Sequence, residues 1–83
     1  MSYDKVKQAK ERKIGLKQTL KAIELNEAAE VIVARDADPK LIQKVLQQCE
    51  AKQILVSYVD SMNKLGRICG IEVGAATVAL RKE

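Results

Sequence analysis

The chain has 83 residues, 47% apolar and 31% charged, with a net charge of +4, two cysteines and no histidine. That length suits one domain spanning 1–83, whose folding buries only about 60% of the surface the unfolded chain exposes. Without histidine, general-base catalysis and metal binding lose their commonest residue. Cys49 and Cys69 lie twenty residues apart, neither a zinc spacing nor a disulfide framework, and read as small core side chains in a reducing, cytoplasmic setting.

In chain order, "SYDKVKQAKERK" reads as a lysine-rich, mostly exposed helix, apolar only at Tyr3, Val6 and Ala9, with Ser2 as its N-cap. Ile14 and Gly15 interrupt that pattern. A second helix, "LKQTLKAIELN", places Leu16, Leu20 and Ile23 at helical spacing and stops at Asn26. The β-branched run Glu30–Arg35 predicts a strand covered on both faces. Asp38 caps a third helix with Pro39 at its first position, and Leu41, Ile42, Val45, Leu46 and Cys49 make its apolar face. A strand over Ile54–Val59, a short helix capped by Asp60 or Ser61, and a strand over Ala76–Leu80 complete the chain. Strands alternating with helices predict an α/β domain with helices on both faces of the sheet. No apolar run approaches the roughly 18 residues of a membrane span, and the charged opening has no signal-peptide character, so no membrane partner is expected.

Charge is uneven along the chain. Residues 1–21 carry seven lysines and arginines against two acids, residues 22–60 sum to −3, and residues 61–83 return to +2. Two basic segments flanking an acidic one suit a polyanionic partner if the two meet in space.

Several stretches could form a site. Gly66, Gly70 and Gly74 have the spacing of a membrane-helix packing stripe, but Lys64, Arg67 and Glu72 exclude that setting. A phosphate-binding loop needs glycines between a strand and a helix, whereas these follow a helix. Gly66 instead permits close helix packing and Gly70 ends the helix in a left-handed conformation. Ile71, Glu72 and Val73 then form either an exposed contact loop or the start of the last strand. Asp36, Asp38 and Asp60 fall at strand-to-helix junctions, where capping accounts for them and no metal spacing appears. In "GLKQTLK", Lys17 and Lys21 share a helical face with Gln18 beside them. Such side chains match the edges of bases, and free amides at a helix start match phosphates. The alternative is a solvated lysine face. With two tyrosines and no Phe or Trp, the chain cannot build an aromatic stacking platform for single strands.

Three segments, "GLKQTLK", "VIVARDADP" with the following Ile42, and "LGRICGIEV", resemble in order and spacing the kink-turn RNA-binding ribosomal protein family, often called L-seven-Ae-like. The likeness covers nearly the whole chain and is closest to the short bacterial, YbxF-like members, which share the opening "MSYDKV" and the run "IEVGAA". It implies a three-layer α/β/α sandwich around a mixed four-stranded sheet, and so an extra strand near Lys13–Ile14 that periodicity does not reveal. It also implies recognition of the kink-turn, a bent RNA helix built on tandem sheared G·A pairs, in ribosomal RNA, a riboswitch or another non-coding RNA. A cytoplasmic monomer with no cofactor and no catalytic residue is expected, and the ribosome stays open as a partner.

Carried over by position, the resemblance gives Lys17, Gln18 and Lys21 the guanine edges in a major groove that kinking opens. Gly15 and Leu16 would approach phosphates, and Ile71, Glu72 and Val73 would cover an extruded nucleotide. Asp38 and Ile42 would line that nucleotide's pocket, with Lys64 and Arg67 near the RNA backbone. Two positions depart from the family pattern. Lys17-Gln18 stands where archaeal and eukaryotic members commonly have Asn-Glu, which changes the donor and acceptor pattern, and Met62 stands where several have lysine. A second functional reading is an assembly module docked to a ribonucleoprotein through protein contacts. A steep fall of RNA affinity with salt separates the two.

Overall fold

The computed structural model describes residues 3–82. Its elements run α1 (Tyr3–Gln8), β1 (Arg12–Ile14), α2 (Leu16–Glu24), β2 (Ala28–Ala34), α3 (Pro39–Lys52), β3 (Leu55–Val59), α4 (Met62–Ile68) and β4 (Thr77–Arg81). The strands form one mixed sheet in the order β1-β4-β2-β3, with β4 antiparallel to β1 and β2, and β3 parallel to β2.

Alternation along β2 builds the three layers. Val31 and Val33 point to one face and pack with Ala22 and Ile23 of α2 and with Ile42, Val45 and Cys49 of α3. Ile32 and Ala34 point to the other and pack with Val6 of α1 and Leu65 of α4. This inside-outside register is the one that period-two side-chain placement requires of a strand covered on both faces. The expected α/β/α sandwich and mixed four-stranded sheet are therefore present.

The largest departure is at the start. The helix predicted through Lys13 ends at Gln8, because Arg12, Lys13 and Ile14 pair with Leu80, Ala79 and Val78 of β4. Arg12 reinforces the break, its guanidinium donating to the carbonyls of Val6 and Ile68, both at 3.4 Å. The cap assigned to Ser2 lies outside the described residues. The strands β2 and β4 also shift slightly from their predicted bounds, to Ala28–Ala34 and Thr77–Arg81.

Three helices end alike. After α4, Gly70 takes φ 81° and the Gly70 and Ile71 amides donate to Arg67 O and Gly66 O, both at 3.0 Å. Asn26 (φ 59°) and Gln53 (φ 58°) do the same for α2 and α3. This closure turns the following residue back toward the helix, which is why Ile54 and Ile71 pack against the core. Lys52 adds a second lock on α2, its ammonium donating to Ile23 O at 2.9 Å, Glu24 O at 3.3 Å and the Asn26 side chain at 3.1 Å. Among the described residues, no helix is long and apolar enough to cross a membrane.

Thr19 and Thr77 are fully buried polar residues in this core, and the Thr77 hydroxyl donates to Thr19 Oγ1 at 3.0 Å. Replacing Thr19 with Val leaves the Thr77 hydroxyl buried without that acceptor. We expect Thr19→Val to lower stability by about 1–3 kcal/mol in denaturant unfolding, and the double Thr19→Val/Thr77→Val variant to recover most of the loss.

Candidate nucleic-acid interface

The strand directions bring several of the candidate segments to one end of the sheet. β1, β2 and β3 run the same way, and α2, α3 and α4 each begin where one of them ends. Three helix N-termini therefore share one end of the sheet. The segment 69–76 brings the chain back to that end before β4 starts at Thr77. Helix N-termini present unpaired amides and the positive end of the helix dipole, so a start left without an internal acceptor favours anions.

The three starts are finished differently. Asp38 caps α3 by accepting from the Lys40 amide at 2.9 Å. Ser61 caps α4 by accepting from the Lys64 amide at 3.2 Å. Asp36, placed by sequence at its own junction, crosses to α4 and accepts from the Met62 amide at 2.9 Å. Asp60 is not a cap: its carboxylate accepts from the Tyr3 hydroxyl, which also accepts from the Ser61 amide at 3.2 Å. That hydroxyl holds the Asp60 carboxyl below the usual carboxylate range, while burial and the same bond push the Tyr3 phenol up. Helix α2 has no side-chain cap and no acid in its first turn.

What α2 has instead is Gly15, at φ 97° and ψ 165°, a conformation that disfavours any side chain. Its amide donates to Thr77 O at 2.9 Å, and a Cβ placed there would meet nothing within 4 Å. The approach to the start of α2 is open. Lys17, Gln18 and Lys21 are exposed along the helix, and Leu16 packs against the core beneath them. Gln18 and Lys21 line a shallow depression with Lys13, Ala22, Leu25 and Glu27. Sequence reading did not single out Lys13. The signal is its strand register, opposite Ala79, whose side chain faces the α2–α3 layer.

The 71–73 segment is a loop, since β4 begins four residues after it. It lies on α4 at Gly66, where a Cβ would sit 2.1 Å from the Val73 carbonyl oxygen. The Ala75 amide also donates to Met62 O at 3.0 Å. The three side chains divide: Ile71 packs against the α1–α4 core, while Glu72 is exposed and Val73 is 70% exposed.

Ile42 is buried at the edge of the α2–α3 core, which Leu16, Met62 and Ala76 border. Asp38 is exposed, with one carboxylate oxygen engaged by its cap. Lys64 and Arg67 are exposed on α4, in the opposite helix layer from Lys17, and the Lys64 ammonium sits 5.4 Å from the centre of the Tyr3 ring. Neither is gathered directly with the α2 residues. Cys49 and Cys69 are buried free thiols, and burial pushes the pKa of both up.

Comparison with known proteins agrees with this architecture. Residues 2–83 match the Ribosomal protein L7Ae/L30e/S12e/Gadd45 family. An RNA-binding protein of Halalkalibacterium halodurans is 58% identical over 82 residues, covering 99% of this chain and all of that protein. The RNA-binding protein YbxF of Geobacillus stearothermophilus is 52% identical over 80 residues, covering 96% of this chain and 98% of that one. Among solved structures, the Giardia lamblia 15.5kD RNA binding protein superposes with a TM-score of 0.81 at 32% identity; the match spans 92% of this chain and 62% of that one. With the family match over residues 2–83, the 58% identity to a relative covered in full and the superposition at 32% identity all in agreement, the chain belongs to the Ribosomal protein L7Ae/L30e/S12e/Gadd45 family.

Proposed function

We propose that the chain binds structured RNA and recognises the kink-turn. The observation that carries this reading is the uncapped start of α2, where Gly15 leaves an open approach and Lys17, Gln18 and Lys21 project into solvent. A helix that lacks its own cap offers first-turn amides to phosphate oxygens, and the lysines and glutamine beyond them offer donors and an acceptor to base edges. The names of the relatives, each an RNA-binding protein, support the same class of partner. Val73, exposed beside this end of the sheet, supplies the apolar cover for an extruded nucleotide, and Ile42 with Asp38 lines its pocket. Ile71, half-buried against the α1–α4 core, holds the loop in place. Lys64 and Arg67 meet the RNA backbone on the α4 side. On this reading the chain acts in the cytoplasm as a monomer.

Gel-shift titration against a kink-turn RNA, and against a copy whose sheared G·A pairs are replaced by Watson–Crick pairs, tests the proposal. Tighter binding of the kink-turn is expected, and equal affinity for the two overturns it.

Lys17→Ala or Lys21→Ala should weaken kink-turn binding by roughly 1–3 kcal/mol and narrow the gap between the two RNAs. An equal loss on both RNAs would assign the lysines to phosphates alone. The loop variants separate two roles. Val73→Ser should lower RNA affinity with no change in Tm, whereas Ile71→Ser should lower Tm because it exposes a polar group to the core.

A further inference from the structure

Arg35, the residue that follows β2, lies outside the residues assigned above. Its amide donates to Val59 O at 2.8 Å, which ties it to the end of β3. Its guanidinium carbon stands 4.8 Å from the centre of the Tyr58 ring, and Tyr58 is 38% exposed. Among the described residues Arg35 enters no ion pair. The acids nearest in sequence are engaged elsewhere, Asp36 by the Met62 amide and Asp38 by the Lys40 amide. Arg35 is thus an exposed cation that forms no ion pair among the described residues and sits over an aromatic ring.

Its position gives that cation a use. Arg35 sits at the end of the sheet where α2, α3 and α4 begin. In the order β1-β4-β2-β3 it is two strands from β1, roughly 10 Å across the sheet from the start of α2. A guanidinium held over a ring by cation–π attraction spends none of its N–H donors as hydrogen bonds to a protein acceptor, and its planar fork matches two oxygens of one phosphate. The ring also fixes the side chain beforehand, so less rotamer freedom is lost on binding.

We propose that Arg35, held by Tyr58, is an additional contact to the RNA backbone, extending the interface from α2 across the sheet to the β2–β3 edge. This rests on the reading of the chain as an RNA-binding protein but not on its preference for sheared pairs, since a phosphate contact acts on any RNA that covers this end of the sheet.

The test uses the kink-turn RNA and its Watson–Crick copy at several salt concentrations. Arg35→Ala should weaken binding roughly three- to tenfold, by a similar factor on both RNAs, and reduce the slope of log affinity against log salt by about one. Tyr58→Phe keeps the ring and should bind as the unmodified chain does. Tyr58→Leu removes the ring and should lose part of what Arg35→Ala loses, with no further loss when the two are combined. Thermal unfolding of each variant confirms that it is folded. Arg35→Ala with unchanged affinity and salt slope overturns the proposal, as does a change in Tm alone, which would reduce the pair to a brace on the edge strand. Loss of the preference between the two RNAs in the unmodified chain counts against kink-turn recognition and leaves the Arg35 comparison readable.

Discussion

The contact between Thr77 and the start of α2 is the constraint on which the candidate interface depends. The Thr77 carbonyl accepts from the Gly15 amide and its hydroxyl donates to Thr19, so the first residue of β4 grips α2 at two points one helical turn apart. The hydroxyl pair is fully buried in a core otherwise lined by Ala, Val, Ile, Leu and Cys, where a mispositioned helix would strand both groups without partners. Lys52 does the corresponding work at the other end of α2, adding a donor to the last-turn carbonyls of Ile23 and Glu24. A nine-residue helix is marginal alone; held at both ends, it presents its exposed face in one orientation.

The same end of the sheet shows a division of labour among helix starts. α3 and α4 have first-turn amides engaged internally, Lys40 by Asp38, Met62 by Asp36 and Lys64 by Ser61. α2 is left without a cap and carries lysine where an acid would ordinarily complement the dipole. In isolation both features destabilise α2, and the Thr77 and Lys52 contacts offset them from outside. Local destabilisation compensated by tertiary contacts suits the RNA-binding role proposed for α2, since a side-chain cap occupies amides that could otherwise meet a phosphate.

Most secondary structure was legible from local chemistry. The β-branched run of β2, the Asp38-Pro39 start of α3 and the left-handed stops at Asn26 and Gly70 each follow from the conformational preferences of a few adjacent residues. The misreadings arise where partners are distant. Arg12, Lys13 and Ile14 have the composition of a helix end and form a strand only because β4, more than sixty residues later, offers its edge. Asp36 and Asp60 stand at helix starts in sequence, yet one caps a different helix and the other receives Tyr3, from the far end of the chain.

The sequence by itself determined which segments form helices and strands, that the sheet is covered on both faces, and that the basic charge lies in the first and last thirds. Those properties reside in periodicity, capping residues and composition, all readable within a few turns of chain. Only the tertiary structure decided that β1 and β4 pair, which brings the two basic segments together, and that Lys13 faces α2 while Ile71 turns inward and Val73 outward. It also decided that α2 alone starts uncapped beside an open approach. A cap, a register and a stacked pair such as Arg35 on Tyr58 are set by residues far apart in sequence, and no local pattern encodes which distant partner arrives.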